Sequence, residues 1–183
     1  MRLIFRRVIC AIVLYLGCHQ LASAQVYRQL SANDFEGAPQ SHSATIAYTH
    51  CTIDFKYQAH RKNGYYQLFF NIRLIMDHDM SWIDRSRVTS QQMLSEVLKH
   101  EQGHYNIAYM EQQELLREVG RTQFQADYQY RAQEIFDRID AKYKQLNLDY
   151  DEDTQHMTNR VQQVSWDKYF QRKLEYMPRE DEG

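Results

Sequence analysis

Proline and glycine are scarce in this chain: its 183 residues include two prolines and six glycines. With so few breakers, long uninterrupted elements are favoured over a loop-rich scaffold. Cysteine is scarcer still where it would count. Of three cysteines, Cys10 and Cys18 fall in the N-terminal segment, which leaves Cys51 unable to close an intramolecular disulfide. In its β-branched and aromatic surroundings Cys51 reads as a small apolar strand residue and gives a thiol protease little basis. A Walker-type loop, a glycine-rich dinucleotide fingerprint and a Gly-x-Ser-x-Gly elbow are all missing. No Lys/Arg-rich run stands out, and 22 basic against 24 acidic side chains argue against a nucleic-acid partner.

The first 24 residues differ from the rest. Arg2, Arg6 and Arg7 precede the apolar run Val8–Gly17, which is too short for a stable membrane anchor, and Ala22-x-Ala24 offers a cleavage site. This order describes a secretory signal peptide, removed after Ala24. A retained N-terminal anchor and lipidation at Cys18 are the alternatives. Removal takes away three arginines and no acid, so the formal charge moves from −2 to −5. The mature chain, 25–183, is long enough for one domain with a sizeable core and is expected to be periplasmic or secreted, without a transmembrane anchor.

The fold expected is α+β, a small antiparallel sheet packed with three long helices. Val26–Gln40 reads as a short strand and loop. Ala44–His60 alternates and is rich in β-branched and aromatic residues, Lys62-Asn63-Gly64 is a strong turn signal, and Tyr65–Asp77 returns as a second strand. A third strand from the N-terminus is expected beside this hairpin (about 44–77), because a lone hairpin is marginal. Helices follow over about Ser90–Val119, stopped by Gly120, about Thr122–Leu146 and about Thr154–Tyr176, the last capped by Asp151 or Asp153.

The first helix carries His100-Glu101-Gln102-Gly103-His104. At about 100° per residue, His104 lies about 40° from His100, on the stripe formed by Met93, Val97, Ile107 and Leu115. Glu101 lies beside Ala108 and Val119. Burying two imidazoles and a carboxylate without partners would be costly. A divalent metal, Zn²⁺ first among candidates, supplies the partner for a zincin-like helix: the histidines ligate, and Glu101 takes a proton from metal-bound water. Gly103 weakens the helix by about 1 kcal/mol relative to alanine, and its missing side chain would let another element approach closely.

A catalytic zinc wants three protein ligands and one open position. Residues 110 and 123, six and nineteen past His104, are Met110 and Gln123, so the third ligand comes from elsewhere. His156 is the main candidate, placed in the first turn of the third helix with Asp151, Glu152 and Asp153 nearby to orient it. Glu134 is the fallback. His42, His50, His60 and His78 are the other histidines of the mature chain, and Glu111 reads as a salt-bridge or orienting residue.

These pieces resemble the bacterial family known as domain of unknown function 922, described as predicted secreted zinc-dependent proteases. "LSANDFEGAP" looks like the family's opening segment, "MSWID" like the segment before its active helix, and "VLKHEQGHYNIA" like that helix. "YDEDTQHM", followed by Gln162, Gln163 and Trp166, is similar to the family's YDxxTxHG segment, with Met157 in place of the glycine. The resemblance implies a metal held by His100 and His104, Glu101 as the catalytic glutamate, and His156 as the contribution of the second segment. The function expected is hydrolysis of peptide bonds in a peptide or protein substrate, with Tyr150 or Tyr105 as oxyanion donor. The rival expectation is a non-catalytic metal-binding or protein-interaction module of the cell envelope.

Overall fold

The computed structural model describes residues 27–41 and 43–175. The signal-peptide, cleavage and Cys18 readings lie outside them, as does His42. Four strands and three helices follow in order: β1 (Ala47–Tyr48), β2 (Cys51–Lys62), β3 (Tyr65–Met76), β4 (Trp82–Ile83), α1 (Gln91–Arg121), α2 (Tyr128–Thr154) and α3 (Arg160–Glu175). The architecture is α+β, a hairpin packed against helices, as expected.

β2 and β3 pair antiparallel from Lys62↔Tyr65 to Cys51↔Met76. Asn63 and Gly64 join them at φ of 51° and 86°, the two left-handed residues that a tight hairpin turn of matching twist requires. One face of the hairpin presents Ile53, Phe55, Tyr57, Leu68, Phe70 and Ile72 to the helices. The other is polar, where Asp54 accepts from Lys56 and Arg73. β1 pairs instead with β4, so the run expected as one long strand from Ala44 is broken at Thr49 and His50.

No third strand joins the hairpin among the described residues. The N-terminal segment runs extended with one 3-10 turn at Ala32–Asp34. Its backbone groups are met by a side chain rather than by a ladder: Leu30 N donates to Gln102 Oε1 at 2.7 Å, and Gln102 Nε2 donates to the Arg28 carbonyl at 3.2 Å. An amide of the motif helix thus replaces the strand pairing.

α1 is the axis of the molecule. It starts at Ser90, whose Oγ accepts from Met93 N, and runs through Gly120 to Arg121 rather than stopping there. The hairpin, α2 and α3 all pack against it. Between His100 and Leu115 it is therefore buried on several faces. α2 begins at Tyr128, later than expected, because Phe124 turns inward onto Phe70 and holds the connection off the helical path. It also ends later. Ile135, Ile139, Tyr143, Tyr150 and Thr154 continue one buried face at helical spacing, which carries Asp151 and Asp153 inside α2 instead of at the cap of α3. No helix of the described residues is long and apolar enough to cross a membrane.

Candidate metal centre

His100 and Glu101 are buried and His104 nearly so, on the α1 surface that faces the C-terminal end of α2. Each histidine is held by a bond at its far nitrogen. His104 Nδ1 lies 2.7 Å from Asn147 Oδ1, and His100 Nδ1 lies 3.3 Å from Gln163 Oε1. With those protons donated to amide oxygens, the two Nε2 lone pairs point towards each other, 3.2 Å apart. Asp151 Oδ1 completes a triangle, 3.2 Å from His100 Nε2 and 3.3 Å from His104 Nε2.

Three acceptors converging in this way repel one another unless a cation or a proton lies among them. The edge of a tetrahedron around zinc, with bonds of about 2.1 Å, is about 3.4 Å. The near-equilateral triangle therefore fits one face of such a site, and the donor types, two imidazoles and a carboxylate, are those that zinc takes. In the metal-free protein a proton serves instead. Burial pulls His104 down, but its bond to Asp151 and the nearby Glu101 charge outweigh burial and push it up to about 9. Burial raises Asp151, but the bonds from His100 and His104 overcome this and hold it far below the carboxylate range.

His156 arrives from the other side of Asp151, its Nδ1 3.2 Å from the same Oδ1 and its ring more than half exposed. His100, Asp151 and His156 form a group whose ligand atoms lie within 4.8 Å of one another. His156 is not in the first turn of α3. It sits in a turn in which Gln155, His156 and Met157 all take positive φ, at 48°, 48° and 78°. Met157, where the resembling family has glycine, tolerates that conformation with its side chain buried in the apolar cluster of Leu74, Ile83 and Val97. Such left-handed positions cost about 1–2 kcal/mol each for non-glycine residues, and the buried methionine anchors the turn.

The glutamate of the motif is fastened independently. Thr49 Oγ1, buried in the connection between β1 and β2, donates to Glu101 Oε2 at 2.6 Å. That connection is braced by the Met80–Asp84 segment: His50 N donates to Ser81 Oγ at 2.9 Å, and Trp82 and Ile83 pair with Tyr48 and Ala47. Gly37, from the opening segment, lies so close to the Asp79 and Ser81 carbonyls that a Cβ there would clash.

A cleft of about 640 Å³ opens over these groups, walled by the Thr45–Ile53 backbone on one side and by α1 and α2 on the other. His100, Glu101, His104, Asp151, His156 and Asn147 line it. Cys51 also lines it, but burial, reinforced by Glu101, pushes its thiol up to about 12, so it is inert.

Glu134 stands apart on the exposed side of α2, paired with Arg131 at 2.8 Å, and does not reach the cluster. Tyr150 cannot serve as an oxyanion donor, because its buried hydroxyl donates to the His100 carbonyl at 3.0 Å. Its ring stacks on His100 at 4.8 Å, in the space that Gly103 leaves by having no side chain. Tyr105 is buried in the other apolar cluster, beside Tyr27. Sequence reasoning missed Thr49, Asn147 and the direct approach of Asp151. Asn147 and Asp151 are one helical turn apart, a spacing visible only once α2 is known to continue past Leu146.

A family model described as "Bacterial protein of unknown function (DUF922)" matches residues 16–157. The chain belongs to this family. Its match ends one residue beyond His156 and so spans every cleft residue named above, while the buried Gln163 lies beyond it. No curated protein and no solved structure matches the chain.

Proposed function

We propose that this family member is a periplasmic or secreted zinc-dependent metallopeptidase. The observation that carries the reading is the convergence of His100 Nε2, His104 Nε2 and Asp151 Oδ1 beside a buried, separately fastened Glu101 in an open cleft. His100, His104 and Asp151 would hold the ion, with His156 at the solvent side of Asp151. When bound, a zinc ion supplies Lewis acidity, bringing the pKa of a coordinated water from about 15.7 to about 7 and polarising a peptide carbonyl. Glu101 takes the proton of the attacking water and returns it to the leaving amine. Thr49 holds the Glu101 carboxylate for that transfer. Asn147 and Gln163 fix the imidazole orientations, and the histidines cannot turn away without breaking those bonds. The edge of β2 that has no strand partner among the described residues offers backbone groups to an extended peptide.

The deciding experiment is Glu101→Gln. Zinc content is expected to stay at one equivalent, while peptide hydrolysis falls by at least about a thousandfold. Unchanged hydrolysis in that variant would remove Glu101 from the mechanism.

A second reading has its own support. His156, whose ligand atom lies within 4.8 Å of those of His100 and Asp151, is a further candidate ligand that would close a tetrahedral site and leave no position for water. A non-catalytic metal module would then result. His156→Ala separates the two: it should lower zinc affinity sharply if His156 closes the site and change it little if His156 stands outside the ligand set.

A further inference from the structure

Two helical turns beyond His104, about 10 Å along the α1 axis, the same cleft reaches Glu111. Glu111 is 9% exposed and makes no hydrogen bond or ion pair with any described residue; its Oε1 is wholly buried and unpartnered. Among the described residues whose buried side chains carry an unsatisfied polar atom, it is the one that lines the cleft. Leaving a carboxyl group in this condition is costly, and a cation entering the cleft would offset that cost. Ile107, Ala108 and Phe136 line the approach. Asp140 adds a second carboxylate at the lip, where it pairs with the exposed Lys144 at 2.8 Å.

We propose that this end of the cleft is a specificity pocket for a cationic side chain, lysine or arginine, of the peptide substrate, an inference that rests on the peptidase reading above. The apolar walls suit the methylene stem of such a side chain, and the buried carboxylate suits its charged head. From the metal centre, the span corresponds to a long side chain on a residue one or two positions from the attacked bond, at about 3.3 Å of backbone per residue. Burial, with Asp140 adding to it, pushes Glu111 up to about 7 against the opposing Lys144 charge. A guanidinium or ammonium entering the pocket would return it to the ionised form. Lys144 lines the same cleft, but its ammonium pairs with Asp140 at 2.8 Å and makes no ion pair with Glu111.

The test uses alanine octapeptides that carry one arginine, lysine, norleucine or glutamate walked through the central positions. Binding to the zinc-loaded Glu101→Gln protein is measured by calorimetry. Arginine and lysine peptides are expected to bind at least tenfold more tightly than the norleucine peptide at one position, with glutamate weakest. In Glu101→Gln/Glu111→Gln, nearly the same in shape, that preference should vanish while norleucine binding holds; Asp140→Asn should reduce it less. Equal binding of arginine and norleucine peptides, no binding of any peptide, or a preference that survives Glu111→Gln would overturn the pocket. Hydrolysis of the same peptides by the unaltered protein is read separately. A cationic preference without cleavage would refute the peptidase and leave the pocket standing, whereas cleavage without preference would do the reverse.

Discussion

His104 binds a proton at neutral pH wherever no cation replaces it, and that single residue links the candidate centre to the stability of the fold. Its folded value of about 9 lies above the ordinary 6.5, because the Asp151 bond and the Glu101 charge overcome burial. A group raised in the folded state contributes stability that is complete below pH 6.5 and is lost as the pH rises through 9. Asp151 is depressed, so its share is present above the usual carboxylate range, about pH 4, and is lost as the pH falls below it. The chelated protein is therefore expected to be most stable between about pH 5 and 6.5 and to lose several degrees of melting temperature by about pH 9.5. Calorimetry in chelator across that range checks this, with Asp151→Asn expected to flatten the profile. A wild-type curve that is level from pH 6.5 to 9 would mean that no shared proton holds the three groups. Zinc displaces the same proton, so its uptake should release acid.

The motif helix shows why some elements were readable from residues alone and others were not. His100, Glu101 and His104 declared themselves through spacing and through the apolar stripe they share, and Asn63-Gly64 declared its hairpin through the φ values it alone favours. Asp151 did not, because a carboxylate near a helix end looks like a cap until the helix is known to run through it. The expected N-terminal strand failed for a different reason: Gln102, 72 residues along the chain from Leu30, supplies hydrogen bonds that a strand would have made. Gly103 was legible as a point of close approach, and Tyr150 is what approaches. A Cβ at this position would run into the Tyr150 hydroxyl and ring, which are themselves fixed against the His100 carbonyl and Gln163. Gly103→Ala is thus expected to destabilise the protein by about 2 kcal/mol despite the better helix propensity of alanine, and to weaken metal binding as His100 loses its stacked ring. Gly120→Ala, where nothing lies within 4 Å, serves as the control and should be neutral or stabilising by about 0.5–1 kcal/mol. Thermal melts of both variants, with and without zinc, make the comparison. Equal effects at the two positions would show that helix propensity alone governs them.

For the whole molecule, the candidate centre is a joint between elements that are distant in sequence. α1 contributes His100 and His104, the end of α2 contributes Asn147 and Asp151, the turn after it His156, α3 adds Gln163, and the β1–β2 connection adds Thr49. Apolar packing of α1 on the hairpin and on α2 holds the rest of the molecule, around Phe55, Phe70, Phe124 and Ile139. At the cleft end, polar side chains take over the core, and their mutual repulsion must be cancelled for the elements to close. A metal ion that grips α1 and α2 together adds its binding free energy to folding, because the unfolded chain separates the ligands by some fifty residues of sequence. At a free zinc concentration of 100 times Kd, this amounts to about 2.7 kcal/mol, or about 5–10 °C in melting temperature for a chain of this length. The gain should shrink in Asp151→Ala by most of its size. It should persist in Glu134→Ala, since that carboxylate lies on the exposed face of α2 with Arg131. Zinc bound only by surface histidines such as His60 or His78 would leave the Asp151→Ala protein with the full gain, and that outcome would dissolve the joint between α1 and α2.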